Sequence, residues 1–218
     1  MAINSELVIV RHGEAVCNVE GIVGGEAGCS GLTRRGRAQA RAVAHRLATE
    51  HTHRPYDAFL TAPRLRVRQT AEEISARLGL RPIVEEALRG PDHGDSDGQP
   101  WHLVRTAFGG NPRRYPDRSY ARGSETWNQY LGRVGSALRG LLERYAGRRI
   151  LIAGHRETVE AAHTLLLGLR RAASTYLGFS TDHACLARWQ HTVDEYGHAV
   201  WRLVAHNDGA HLAAASSD

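Results

Sequence analysis

The feature that most constrains this chain is an alternation. Short apolar runs rich in β-branched residues are separated by longer segments whose apolar residues recur at helical spacing. Leu7 to Val10, Ala58 to Thr61 and Ile150 to Ala153 are three such runs, apolar almost throughout, as strands buried on both faces must be. Between the first two, Thr33 reads as the N-cap of a helix over Arg34 to Glu50. After Pro63, residues Val67, Thr70, Ala71, Ile74 and Leu78 share one helical face, and Gly79 ends that helix. Pro82 to Val84 can form a short strand. Ser124 is expected to cap a long helix striped by Trp127, Leu131, Val134, Leu138, Leu141 and Tyr145. A helix runs from Gly154 through Leu167, and strands at Cys185 to Gln190 and Ala199 to Val204 close the sheet. The pattern predicts an α/β fold: a three-layer sandwich with a mainly parallel central sheet flanked by helices.

Length and composition narrow the field. The 218 residues suit one domain spanning 1–218, and 42% hydrophobic residues suffice for a large core. Residues 89–123, rich in Gly, Pro, Asp and Arg with Trp101, Tyr115 and Tyr120 interleaved, predict an irregular, lid-like insertion with at most one short helix near Trp101 to Phe108. No apolar run approaches the roughly 18–20 residues that span a bilayer. Met1 to Glu6 lacks the basic flank and apolar stretch of a signal peptide. Cys17, Cys29 and Cys185 form no CxxC pair, which fits reduced thiols in a cytoplasmic protein.

The net charge is +5, and every basic residue is Arg. These arginines are spread along the chain instead of gathered in a block, so neither nucleic acid nor a membrane is an expected partner. A phosphorylated small molecule suits guanidinium forks well. Thirteen histidines invite a metal hypothesis, but no HExxH or Cys/His set has ligand spacing, so no metal and no cofactor are expected.

Ligands of such sheets gather beyond the carboxyl ends of the strands. Arg11-His12-Gly13 follows the first strand, Pro63-Arg64 the second and Gly154-His155 the fourth. Two imidazoles and two guanidinium groups at three strand ends make an anion pocket with a built-in nucleophile. Phosphoryl transfer needs little beyond positioning and charge neutralisation.

The same residues carry a resemblance. Leu7 to Glu14 (LVIVRHGE) resembles the RHG signature of the histidine phosphatase superfamily, whose fold is phosphoglycerate-mutase-like. The likeness continues through Asn18, Gly31 to Thr33, Arg35-Gly36-Arg37 with Gln39-Ala40, Thr61 to Arg66 with Gln69-Thr70-Ala71, Gly123 to Glu125, Gly154-His155 and Asn207 to Leu212. It runs in order over nearly the whole chain. The resemblance implies that His12 is a nucleophile forming a phosphohistidine intermediate, that Arg11 and Arg64 clamp the non-bridging oxygens, and that His155 completes the pocket. It places Asn18 and the glycine-rich loop with Gly24 on the phosphate side. Arg156, where many relatives have Gly, is a candidate substrate contact.

The general acid departs from the pattern. Where relatives read Leu-Arg-Glu, this chain has Leu88-Arg89-Gly90, and Gly90 has no side chain to protonate a leaving oxygen. Asp92 is the nearest replacement, with Asp95 and Glu86 further off; alternatively the leaving group needs no help, as with an acyl, anomeric or protein-histidine phosphate. The expected function is a phosphomonoesterase acting on a small phosphorylated metabolite. A phosphoglycerate-type mutase, a phosphate-binding module with weakened catalysis and a protein phosphohistidine phosphatase are the alternatives, and a homodimer is possible for any of them.

Overall fold

The computed structural model describes residues 2–170 and 176–213. Six strands form one sheet: β1 (Ala2–Arg11), β2 (Ala58–Thr61), β3 (Ile83–Val84), β4 (Arg149–Gly154), β5 (Leu186–Val193) and β6 (Ala199–Asp208), in the order β3-β2-β4-β1-β5-β6. The pairs β3-β2, β2-β4 and β4-β1 are parallel, while β5 and β6 add to the β1 edge as an antiparallel hairpin. The sheet is thus mainly parallel, as the alternation predicts.

Successive side chains of a strand point to opposite faces. Leu7, Val8, Ile9 and Val10 are nonetheless all fully buried, and all six residues of β4 are buried too, so both faces are covered. Seven helices are described: α1 (Val16–Val19), α2 (Arg34–His53), α3 (Leu65–Leu78), α4 (Trp101–Phe108), α5 (Trp127–Arg144), α6 (Arg156–Leu166) and α7 (Ala210–Ala213). α2 packs on α3 and α5 on α6, which gives the sheet its flanking layers. Both long sequence stripes face the core: Val67, Thr70, Ala71, Ile74 and Leu78 on α3, and Trp127, Leu131, Val134, Leu138 and Leu141 on α5.

Boundaries follow local chemistry. The Thr33 hydroxyl accepts from Gly36 N–H, capping α2, and Gly79 ends α3 in the left-handed region at φ 70°. Ser124 does not cap α5. Its hydroxyl accepts from the N–H groups of Tyr120 and Ala121, and Thr126 is the cap, with Gln129 reaching back to its N–H. That pair is a T-x-x-Q capping box.

Strand order decides where the site falls. The chain leaves β1, builds β2 and β3 two and three places away, then returns to insert β4 between β1 and β2. Arg11 is in register with Gly154, and Thr61 with Ala153. Three neighbouring strands therefore end at one level, with His12, the 62–66 segment and His155 just beyond it.

Candidate active site

Beyond these strand ends lies a cavity of about 310 Å³. Its floor includes Arg11, His12, Asn18, Gly24 and Arg66, and Arg156 and Glu157 border it from the start of α6. Pro91, His93, Trp101, Arg105, Arg113 and Tyr120, all from the irregular 89–123 stretch, form much of its outer wall.

His12 is 3% exposed, and its Nδ1 lies 2.7 Å from the Gly13 carbonyl oxygen. A carbonyl can only accept, so Nδ1 carries the proton and Nε2 keeps its lone pair. Arg66 Nε donates to that lone pair at 3.0 Å. Burial, then the charges of Arg66 and Arg11, hold the His12 imidazolium well below the usual histidine range, so the ring is neutral. His155 is fully buried, with its ring centroid 5.5 Å from that of His12, and its Nδ1 lies 3.4 Å from Arg66 Nη2. With Arg66 donating to Nδ1, the His155 proton sits on Nε2, a buried atom with no partner among the described residues. Burial and Arg66 likewise keep this ring neutral.

Gly13 is fixed by clearance. A Cβ there would stand 2.3 Å from the Gly36 carbonyl oxygen, so the strand-to-loop turn presses on the start of α2 and admits no side chain. Gly24 is similar: a Cβ would meet Cys17 Sγ at 2.5 Å and Arg66 Nη1 at 3.1 Å. Its carbonyl accepts from Arg64 Nη1 and from Arg66 Nη1, each at 2.8 Å.

The two arginines at the second strand end differ sharply. Arg66, in the first turn of α3, reaches both histidines and lines the cavity. Arg64, expected at the phosphate, is not among the residues lining the cavity: its Nη atoms bind the carbonyls of Gly24, Gly90 and Pro91, while its buried Nε has no partner among the described residues. The reason is helical geometry. Arg64 is the N-cap of α3, whereas Arg66 precedes Thr70 and Ile74 by one and two turns and shares their inward face. The stripe through Thr70 and Ile74 was the signal that could have picked out Arg66.

Arg11 donates from Nη1 to the Thr181 carbonyl and contacts His183 Nε2 through Nη2 at 2.7 Å, while its buried Nε has no partner. Burial lowers its pKa to about 10, leaving it charged. His183, whose ring lies 5.8 Å from that of His12, also contacts Asn18 Oδ1 at 3.0 Å. It is aimed by a brace: Asn207, left-handed at φ 51°, binds both the N–H and the carboxylate of Asp182. Asn18 and Gly24 thus border the cavity, and Arg156 enters from solvent, paired with Glu157 at 3.1 Å.

Asp92 is elsewhere. It is exposed, lies outside the cavity lining and accepts from Gly94 N–H, as a turn carboxylate does. Gly90 is the residue that borders the site: a Cβ there would lie 3.1 Å from His155 Nε2 and 3.2 Å from Arg64 Nε. His93 and Tyr120, joined by a 2.6 Å hydrogen bond, are wall residues that sequence reasoning missed, since an irregular segment has no period to orient them.

Known proteins share the sequence and the fold of this chain. A phosphatase of Bacillus subtilis, PhoE, is 28% identical over 206 residues, covering 94% of this chain and 95% of that protein. Phosphoserine phosphatase 1 of Hydrogenobacter thermophilus is 28% identical over 182 residues, covering 82% and 83%. A mycobacterial glucosyl-3-phosphoglycerate phosphatase, solved with VO3, shares the fold at a TM-score of 0.78 and 23% identity, covering 95% of this chain and 100% of that one. The family profile described as "Histidine phosphatase superfamily (branch 1)" matches residues 7–209, and the chain belongs to that family.

Proposed function

We propose that this histidine phosphatase hydrolyses a small phosphorylated metabolite by transferring the phosphoryl group to His12 Nε2 and then to water. The observation that carries the reading is the state of His12: neutral, with the lone pair on Nε2 and a guanidinium N–H already at that atom. An incoming phosphoryl group would take over the Arg66 contact, exchanging an N–H to nitrogen for charge-assisted bonds to oxygen. Arg11 and the Nε2 proton of His155 supply further donors, and no metal is needed to neutralise the charge. Arg66, in place of Arg64, acts as the second clamp in this reading.

The wall built from residues 89–123 acts as a lid. Arg105 lies over the Trp101 ring at 5.5 Å and Arg113 over Trp127 at 4.4 Å, so the organic part of the substrate meets flat rings and guanidinium groups together. That mixture favours a polar, anionic metabolite over a purely apolar one. Three unpaired thiols fit the reducing environment of the cytoplasm. Rapid-quench assays with an aryl phosphate test the core of the reading. An acid-labile phosphoenzyme, absent from His12→Ala, is expected; full hydrolysis by His12→Ala would refute it.

A further inference from the structure

We infer that Glu157 is the catalytic base that accepts a proton from the water attacking phosphorylated His12. This deepens the proposed function and rests on it. Among the described residues only two carboxylates line the cavity, Glu125 and Glu157. Glu125 is committed elsewhere: it receives Arg133 on both oxygens, at 2.9 and 2.6 Å, and the N–H of Asp92 at 3.3 Å. Glu157 stands in the first turn of α6, two residues after His155, and its ion partner Arg156 is the more exposed of the pair, with side-chain exposures of 46% and 21%.

Its place in the lining leaves Glu157 as the carboxylate free of Arg133, and its charge state fits the second half-reaction. Burial pushes the Glu157 carboxyl up, but the charges of Arg156 and Arg113 outweigh it and hold the group below the usual carboxylate range. A carboxylate that is always ionised has no proton for a leaving oxygen, yet it can accept one. Gly90 offers no side chain, Asp92 faces solvent, and burial depresses His93 to about 4, so that ring is neutral as well. The first step then runs without a carboxylic acid as proton donor: the Nε2–phosphorus bond forms, the phosphorus–oxygen ester bond breaks, and the leaving oxygen departs as an anion that water protonates. In the second step water oxygen bonds to phosphorus and the phosphorus–nitrogen pair returns to His12 Nε2. The proton of that water passes to Glu157, which releases it to the departing phosphate.

Each step has its own assay. 2,4-Dinitrophenyl phosphate, whose leaving group needs no proton, makes phosphoenzyme breakdown the slow step. With the full-length Glu157→Gln variant the burst of dinitrophenol should keep its rate within about twofold. Breakdown of the labelled phosphoenzyme should slow by at least about 10²-fold, the usual range for a lost base. Glu157→Asp, which keeps the charge, should fall between the two, and hydroxylamine, a stronger nucleophile, should restore turnover of Glu157→Gln. Breakdown at the wild-type rate in Glu157→Gln overturns the inference, as does a burst slowed in step with breakdown. Absence of any phosphoenzyme in the wild type overturns the histidine reading itself, a separate outcome.

Discussion

The two ends of the β1–β4 ladder, Glu6 with Arg149 and Arg11 with Gly154, bury charge in opposite ways. At the amino end Glu6, 2% exposed, receives Arg149, Arg188 at 3.2 Å and Gln190 at 2.8 Å, while Glu50 receives Arg188, Arg149 and the Tyr56 hydroxyl. Donors and acceptors there meet within the protein. At the carboxyl end Arg11 and Arg66 stand among two neutral histidines, and Arg11 Nε and His155 Nε2 are buried without partners. One cluster is closed; the other leaves buried donors without protein partners among the described residues. Buried charge becomes functional where the compensating partner is left to the substrate.

This contrast can be broken in several ways, taken from the largest expected effect. His12→Ala should lower aryl phosphate turnover by roughly 10⁴-fold or more while moving the melting temperature little. At the other end Glu6→Gln should do the reverse, costing about 3–5 kcal/mol in denaturant unfolding, with kcat unchanged. The pH dependence of stability follows from the same group. Burial raises the Glu6 carboxyl, but hydrogen bonds from Gln190 and Arg149 and the Arg188 charge bring it below its ordinary 4.5, and Arg188 does the same for Glu50. A carboxyl depressed by folding adds stability above its unfolded pKa and loses that stability as pH falls through the folded one. Unfolding midpoints should therefore drop below about pH 4.5, and the Glu6→Gln curve should be flatter.

Arg66→Ala comes next, with an expected loss of about 10²–10³-fold in kcat, the range for one transition-state donor. Arg64→Ala should instead destabilise by about 1–3 kcal/mol, since it leaves the Pro91 carbonyl unpaired while Gly24 keeps Arg66 and Gly90 keeps Arg133. Equal kinetic damage from the two variants would erase the distinction between them. The smallest effect sharpens the chemistry. Gly90→Glu, with its Cβ a few tenths of an ångström tight against His155 and Arg64, should speed alkyl phosphate hydrolysis about tenfold relative to aryl phosphates by supplying a proton.

The sheet and its helices were legible because burial leaves a period in the sequence. β2 spans the run from Ala58 to Thr61, and the α3 stripe faces inward as its spacing requires. The same period held information left unused: Arg66 lies on the inward line of Thr70 and Ile74, and Arg64 does not. Thr126 with Gln129 was likewise a better cap signature than Ser124. Arg11, His12 and His155 could be brought together from sequence because each directly ends a strand. Glu157 could not, since a first-turn glutamate is commonplace and only the cavity lining distinguishes it. The approach of His183 to Arg11 depends on a brace from Asn207, 24 residues further along the chain, which no local pattern announces.

One backbone oxygen, that of Gly24, serves both Arg64 and Arg66. The loop that carries it is stitched to the outer wall through Val23 to Gln99, Gly98 to Val23 and Trp101 to Gly21 backbone bonds. A ligand that draws Arg66 toward itself pulls on this thread, and the thread ends at an indole. Occupancy of the site is thereby coupled to an intrinsic fluorophore, and titration with orthovanadate should be readable as a change in tryptophan emission without any label.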